Sequence, residues 1–356
     1  MIMKQRFSSL DIKVIAHELS QSLTSLRVVN IYDLSTRIFL FKFAKPDHRE
    51  QFVIESGFRC HLTSFARTTA AAPSSFVARL RKCLKTRRVT CVQQVGTDRI
   101  LELQFSDGLY RLFLEFYAGG NIVLTDKELN VIGLLRTVNE GAEHEHVRPG
   151  SVYNLSARQN VDGVPPISDE RVKNGLQAYI DKMASWGEQA QAKKGKKRSG
   201  DVLRKALASC MTEFPPLLLE HGLQVANVDP QLQPQDVVSN QEQLDLVVKA
   251  LQEADRVVQE VMSKPVGHII ARRKAQGEAD TTVPPKREDL LYDDYYPFVP
   301  KQFQEDKNVT VLDFDSFNKA VDDFYSSIEG QKLESKLQEK EDAAKKKLEH
   351  AKQDQE

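Results

Sequence analysis

Cysteine is scarce in this chain, and its spacing forms no motif. The 356 residues hold four, Cys60, Cys83, Cys91 and Cys210, with no CxxC pair and no zinc-ligand spacing. Reduced thiols in a cytosolic or nuclear protein are the expectation, with the cytoplasm as the compartment. Long apolar runs are also absent. None approaches the roughly 18–20 residues that would span a bilayer, so no membrane contact is expected. No signal peptide opens the chain, because Lys4 and Arg6 lead into an amphipathic segment and not an apolar block. Missing too are a P-loop, a nucleophile beside a base, and a metal cluster. The expectation is a protein with no cofactor and no metal that is not itself an enzyme. Net charge is the last absence, since 50 Lys and Arg balance 50 Asp and Glu.

That balance conceals an asymmetry. Residues 1–135 carry 7 Lys and 12 Arg against 12 acidic residues, a surplus of +7, which the remainder offsets with −7. Arg is the better bidentate partner for phosphate, so a basic first third hints at nucleic acid.

The richest stretch is Val89–Asp126, which reads as four short strands. Val89–Val95 and Ile100–Phe105 are apolar or alternating, Asp107-Gly108 is a hairpin signal, and Leu109–Phe116 returns. Gly119-Gly120 turns the chain again before Asn121–Thr125. Between the first two strands, Gly96-Thr97-Asp98-Arg99 sets a carboxylate and a guanidinium on a turn. Two readings stand. Asp98 caps the turn and pairs with Arg99, or the turn presents both charges outward from a rigid sheet.

Taken in order, the chain opens with a helix that Ser8 or Ser9 caps. Asp11 lies in its first turn, and Ile12, Ile15, Leu19 and Leu26 lie near one face. Asp11 either complements the helix dipole or has a functional role. Val28–Tyr32 with Ile38–Phe43, and Phe52–Ile54 with Phe58–Leu62, are strand pairs. A second helix over Ser74–Lys85 buries Phe76, Leu80 and Leu84, and this region carries Arg79, Arg81, Lys82, Lys85, Arg87 and Arg88. Those cations form a solvated face suited to the helix end or grip a phosphate backbone. Val131–Arg136 adds a strand, which makes residues 1–140 an α+β unit with a sandwich-like sheet.

Residues 141–170 read as a linker or extension. Glu143-His144-Glu145-His146 within it is a weak metal motif. Residues 171–263 read as helical, interrupted by a basic loop at 193–200 with Lys193, Lys194, Lys196, Lys197 and Arg198. That loop is solvated or contacts RNA phosphate or acts as a nuclear-import signal. Asp201–Met211 and Pro215–His221, closed by Gly222, look like a helix-hairpin-helix, whose helix starts can take phosphate. A purely structural packing unit is the other reading. Gln241–Met262 is a longer helix. Residues 264–329 form a small module with strands at Gly267–Ala271 and Asp293–Pro300 and a helix at Asp315–Ile328. Residues 330–356 read as the start of a coiled coil with sparse Leu333, Leu337 and Leu348.

Four segments in order, Met3–Leu19 (MKQRFSSLDIKVIAHEL), Gly96–Ile100 (GTDRI), Glu115–Asp126 (EFYAGGNIVLTD) and YYPFVP followed by FDSFNKAVDDFYS, resemble the NFACT family. The likeness covers nearly the whole chain, and its wording looks fungal. It implies an N-terminal domain similar to that of Fpg/Nei DNA glycosylases, helices plus a β-sandwich. An all-α helix-hairpin-helix module, a small α+β middle module and a coiled coil would follow. The sequence is then expected to be a fragment of a longer protein.

The resemblance implies ribosome-associated quality control. Family members bind the large ribosomal subunit and its rRNA while a stalled peptidyl-tRNA is still attached. They aid the Listerin E3 ligase and recruit aminoacyl-tRNA, carrying alanine or threonine, for tailing without mRNA. The family's essential positions map onto Asp11, Asp98 and Arg99. Arg99 would contact RNA phosphate or a base edge, with Asp98 and Asp11 orienting it or accepting from a base amino group. Peptide-bond formation would stay with ribosomal RNA, so the protein would act by positioning. Two alternatives are a Fpg/Nei-like glycosylase and a ribosome-binding scaffold with no specific tRNA role. The former needs an N-terminal proline amine, and this chain begins Met1-Ile2-Met3-Lys4.

Overall fold

A computed structural model describes residues 6–139, 146–190, 202–274 and 284–353. Helix α1 (Ser9–Leu23) leads into a four-stranded antiparallel meander, β1 (Arg27–Asp33), β2 (Ile38–Lys45), β3 (His48–Glu55) and β4 (Arg59–Leu62). Helix α2 (Ser75–Leu84) then crosses to a five-stranded meander, β5 (Val89–Gln94), β6 (Ile100–Phe105), β7 (Tyr110–Glu115), β8 (Asn121–Asp126) and β9 (Val131–Leu134). The class is α+β with antiparallel sheets. Strand β3 starts at His48, earlier than its apolar residues suggest, because Arg49–Gln51 continue the ladder opposite β2 with side chains largely in water.

The two sheets meet at a pair of glycines. Gly57 and Gly120 both have positive φ, and a Cβ on Gly120 would lie 2.4 Å from the Gly57 Cα. Only residues without a side chain allow that backbone approach.

A helical region follows, α3 (Asp169–Ala190), α4 (Val202–Cys210), α5 (Pro216–Val225), α6 (Pro234–Ser239) and α7 (Gln241–Ser263). Gly222 does not end α5 as its sequence suggests. It lies inside the helix, where a Cβ would come within 2.3 Å of the Ala250 carbonyl oxygen on α7. The glycine therefore serves close helix packing.

The third sheet is β11-β10-β12, from β10 (Gly267–Arg273), β11 (Leu290–Tyr296) and β12 (Thr310–Phe314), with the short helix α8 (Lys301–Gln304) between the last two. Helix α9 runs unbroken from Phe317 to Gln353, through Gly330, which the sequence marks as a boundary.

Long-range polar contacts fix α9 to the first sheet. Glu18 on α1 accepts hydrogen bonds from the Phe317 N–H (3.1 Å) and Asn318 N–H (2.8 Å), so it caps a helix 299 residues away. The almost fully buried Arg59 on β4 binds Glu55 (2.7 Å) and Glu329 of α9 (2.6 Å), and its guanidinium lies 4.2 Å from the Tyr325 ring centre. One hydrophobic cluster runs through all these regions, from Phe7 and Leu10 through Leu218 to Tyr295 and Phe317.

Candidate nucleic-acid interface

The site begins at the first turn of α1. The Ser8 Oγ accepts from the Asp11 N–H (3.2 Å), and the Asp11 carboxylate accepts from the Ser8 N–H (2.8 Å), a reciprocal cap. Such a cap usually sits in water, but Asp11 is only 1% exposed. With the start of α5 and the end of β11 it lines a cavity of about 420 Å³. Its wall includes Arg6, Leu10, Asp11, Pro216, Leu217, Asp294, Tyr296 and Phe298. Burial, followed by the nearby carboxylates of Asp294 and Asp11, pushes the Tyr296 phenol up from its ordinary value.

The Gly96–Arg99 turn is assembled beside it. Gly96 has φ +55°, and a Cβ there would fall 2.1 Å from the Gln159 carbonyl oxygen. That carbonyl accepts from the Thr97 N–H (2.9 Å). The half-buried Asp98 carboxylate accepts from two backbone groups, the N–H of Arg99 (2.8 Å) and that of Gln159 (3.3 Å). Gln94 joins the turn to α1, its amide donating to the Asp98 carbonyl (2.9 Å) and the Ser9 carbonyl (3.0 Å). Asn160 donates to Thr97 (2.8 Å) and to Thr212 in the helical region (3.1 Å).

Arg99 is left over from this bonding. Its side chain is partly exposed and makes no hydrogen bond or ion pair with the described residues. Partial burial of the guanidinium, then the positive charge of Arg6, pull its pKa below the usual arginine value, against the opposing pull of Asp98 and Tyr117. Arg6 itself donates to the Ala118 carbonyl (2.9 Å) and lies 5.7 Å from the Phe58 ring centre. Both arginines line a second cavity of about 410 Å³. Its wall also includes Ser8, Ser9, Gln159, Thr212, Phe214, Pro215 and Pro216. The two cavities share Arg6, Ser8, Pro215 and Pro216, so they adjoin as one trough.

Arg158, close behind, is a contrast. It donates to the Tyr117 hydroxyl (3.0 Å) and approaches Glu115 (3.7 Å), which also accepts from the buried Tyr153 hydroxyl (2.7 Å). Its guanidinium has acidic and hydroxyl partners, whereas that of Arg99 has no side-chain bond among the described residues.

Asp11 and Arg99 line adjoining cavities and Asp98 precedes Arg99 on the turn without lining either, although 87 residues separate Asp11 from Asp98. Of the two readings of the turn, the Asp98 cap is present and the Asp98–Arg99 side-chain pair is not. The cations around α2 line neither cavity. Arg81 donates to the Ile31 carbonyl (2.7 Å), Arg87 lies over the Tyr110 ring, and Arg79 packs its stem against Gly133. Arg79, Lys82, Lys85 and Arg88 are exposed. Lys193, Lys194, Lys196, Lys197 and Arg198 lie outside the described residues, as do Glu143, His144 and Glu145. Among the described residues no group of three His, Cys, Asp or Glu could hold a metal, and no helix is long and apolar enough to cross a membrane.

Sequence reasoning gave no site role to Arg6, Gln159, Asp294 or Tyr296. A lone Arg ahead of a helix carries no local signal, and Gln159 acts through its backbone. Asp294 lies immediately ahead of the YYPFVP segment, which the sequence marks only by its likeness to the family.

The profile of the NFACT N-terminal and middle domains matches residues 8–356. A ribosome quality control complex subunit 2 of Schizosaccharomyces pombe is 35% identical over 378 aligned positions, covering 99% of this chain and 37% of that protein. The human ribosome quality control complex subunit NEMF is 33% identical over 366 positions, covering 99% of this chain and 31% of that protein. The chain therefore spans about a third of the length of these relatives. Among solved structures, the fibrinogen-binding protein of Staphylococcus aureus superposes with a TM-score of 0.54 at 19% identity, covering 89% of this chain and 98% of that one. That likeness speaks for the fold alone.

Proposed function

The chain belongs to the NFACT family, and from that premise we propose that it is the tRNA-handling part of a ribosome quality control factor. It binds the large ribosomal subunit that carries a stalled peptidyl-tRNA and recruits aminoacyl-tRNA for alanine or threonine tailing. Within the full-length protein it works beside Listerin, in the cytoplasm. It acts as a positioning device, with bond formation left to the ribosome's own RNA.

One observation carries this reading. Among the described residues Arg99 makes no side-chain hydrogen bond or ion pair, its neighbour Asp98 is committed to backbone groups, and a second guanidinium, Arg6, lines the same cavity. Guanidinium groups give the strongest, often bidentate, hydrogen bonds to phosphate, so two arginines on one cavity wall suit an anion. RNA phosphate is the anion the family relatives suggest. Asp11 lies buried at the wall of the adjoining cavity.

The double substitution Asp98→Ala with Arg99→Ala tests the reading in a reconstituted reaction with large subunits carrying stalled peptidyl-tRNA. Tailing is expected to disappear while subunit binding persists. A glycosylase would instead cleave damaged duplex DNA, and a pure scaffold would keep tailing.

A further inference from the structure

Helix α9 changes character at one residue. Up to Glu329 each of its turns is tied to the body of the protein. Phe317, Ala320, Val321 and Phe324 are buried. Asn318 accepts from the Leu62 N–H (2.8 Å), Asp322 from the Ser64 N–H (3.0 Å), and the Tyr325 hydroxyl meets that of Tyr295 (2.9 Å). Glu329 closes the series, held by Arg59 (2.6 Å) and Arg67 (3.1 Å). From Gly330 to Leu348 every residue is exposed.

From this change we infer that Gly330 is a pivot, about which the outer part of α9 turns as an arm while residues 317–329 stay fixed to the body. The glycine is not there for space. At Gly57, Gly120, Gly222 and Gly267 a Cβ would come within 2.9 Å or less of a neighbouring atom, whereas at Gly330 it would meet nothing within 4 Å. Nor does the local backbone demand it, because Gly330 lies inside a regular helix and is not one of the positive-φ glycines. What it adds is conformational freedom. Relative to alanine, a glycine favours local opening of a helix about fivefold.

Its placement makes that freedom count. Immediately before it, the two arginines on Glu329 and the buried face of α9 resist bending. Beyond it, Leu333, Leu337 and Leu348 are all exposed, so a bend at Gly330 breaks no tertiary contact among the described residues. An arm over residues 331–353 is about 35 Å long at the helical rise, and a bend of ~20° moves its end by roughly 12 Å. A contact made at the end of the arm is then kept while the body takes a second orientation. The inference stands on this geometry and not on the tRNA reading above.

The test measures distances between nitroxide pairs by double electron–electron resonance in the full-length protein. Labels enter through an azide-bearing residue, which spares the native cysteines. One pair, Arg49 with Lys319, lies on the body, and a second, Lys336 with Lys347, lies on the arm. The third, Arg49 with Lys346, spans the pivot, and all these positions are exposed. The inference expects narrow distributions for the first two pairs and one about twice as broad for the third. Gly330→Ala, which has open space for its methyl group, narrows the third by about half and leaves the others unchanged. A wild-type third distribution as narrow as the first overturns the inference, because the arm is then rigid. A broad third distribution that Gly330→Ala leaves unchanged also overturns it, because the motion then lies elsewhere. A broad second distribution does so too, because the arm then unravels instead of turning.

Discussion

Asp98 accepts a hydrogen bond from the backbone N–H of Arg99 at 2.8 Å and makes no side-chain pair with it. The acid fixes where the guanidinium starts, and the guanidinium stays available. Asp98 is therefore a positioning residue in this account, and Arg99 is the group that meets RNA.

Arg99→Ala is expected to leave folding stability within about 0.5 kcal/mol, since the partly exposed side chain makes no hydrogen bond or ion pair with the described residues. The same variant loses tRNA binding. Chemical denaturation beside a tRNA-binding titration checks both, and a large loss of stability would show that Arg99 has a structural role.

Asp98→Asn keeps one acceptor oxygen where two backbone N–H groups now need one each. A cost of about 1–2 kcal/mol is expected. Hydrogen exchange should rise around Gln159 and Asn160, which hold the turn against the helical region. Unchanged exchange there would mean the clasp does not depend on this carboxylate.

Gly120→Ala combines a positive φ with a Cβ 2.4 Å from the Gly57 Cα, so the chain at both glycines must move. The expected loss exceeds the ~1 kcal/mol typical of a glycine substitution at positive φ alone. Gly150→Ala, with positive φ but open space around it, is the matched control and should cost less. A thermal melt of each variant decides it.

Much of the first third could be read from the sequence, and the reasons are local. Alternation and turn residues mark β5 to β8, and the spacing of Ser8 and Asp11 marks the cap of α1. β12 escaped because Thr310–Phe314 is only partly buried along its length and shows no clean alternation. The burial of Asp11 was not legible either, because the cavity it lines is completed by Leu217 and Phe298, more than 200 residues away. The same holds for Gln159, whose backbone rather than its side chain completes the Gly96 turn.

His61 gives a pH dependence. It is fully buried beside Arg59, and both burial and that charge hold its pKa well below 6.5. The unfolded chain then binds a proton more readily than the folded one, so stability is fully present above about pH 6.5 and falls as pH drops through that value. Denaturation midpoints measured from about pH 7.5 to pH 5 should decline on the acid side. His61→Gln should flatten that decline, and an equal decline in the variant would assign the effect to other groups.

The most direct measurement is the tRNA content of large subunits captured through the full-length protein, compared between wild type and Arg99→Ala. The account predicts that the variant still brings down subunits with their peptidyl-tRNA while the second, aminoacylated tRNA is lost. Equal recovery of that tRNA with both proteins would contradict it.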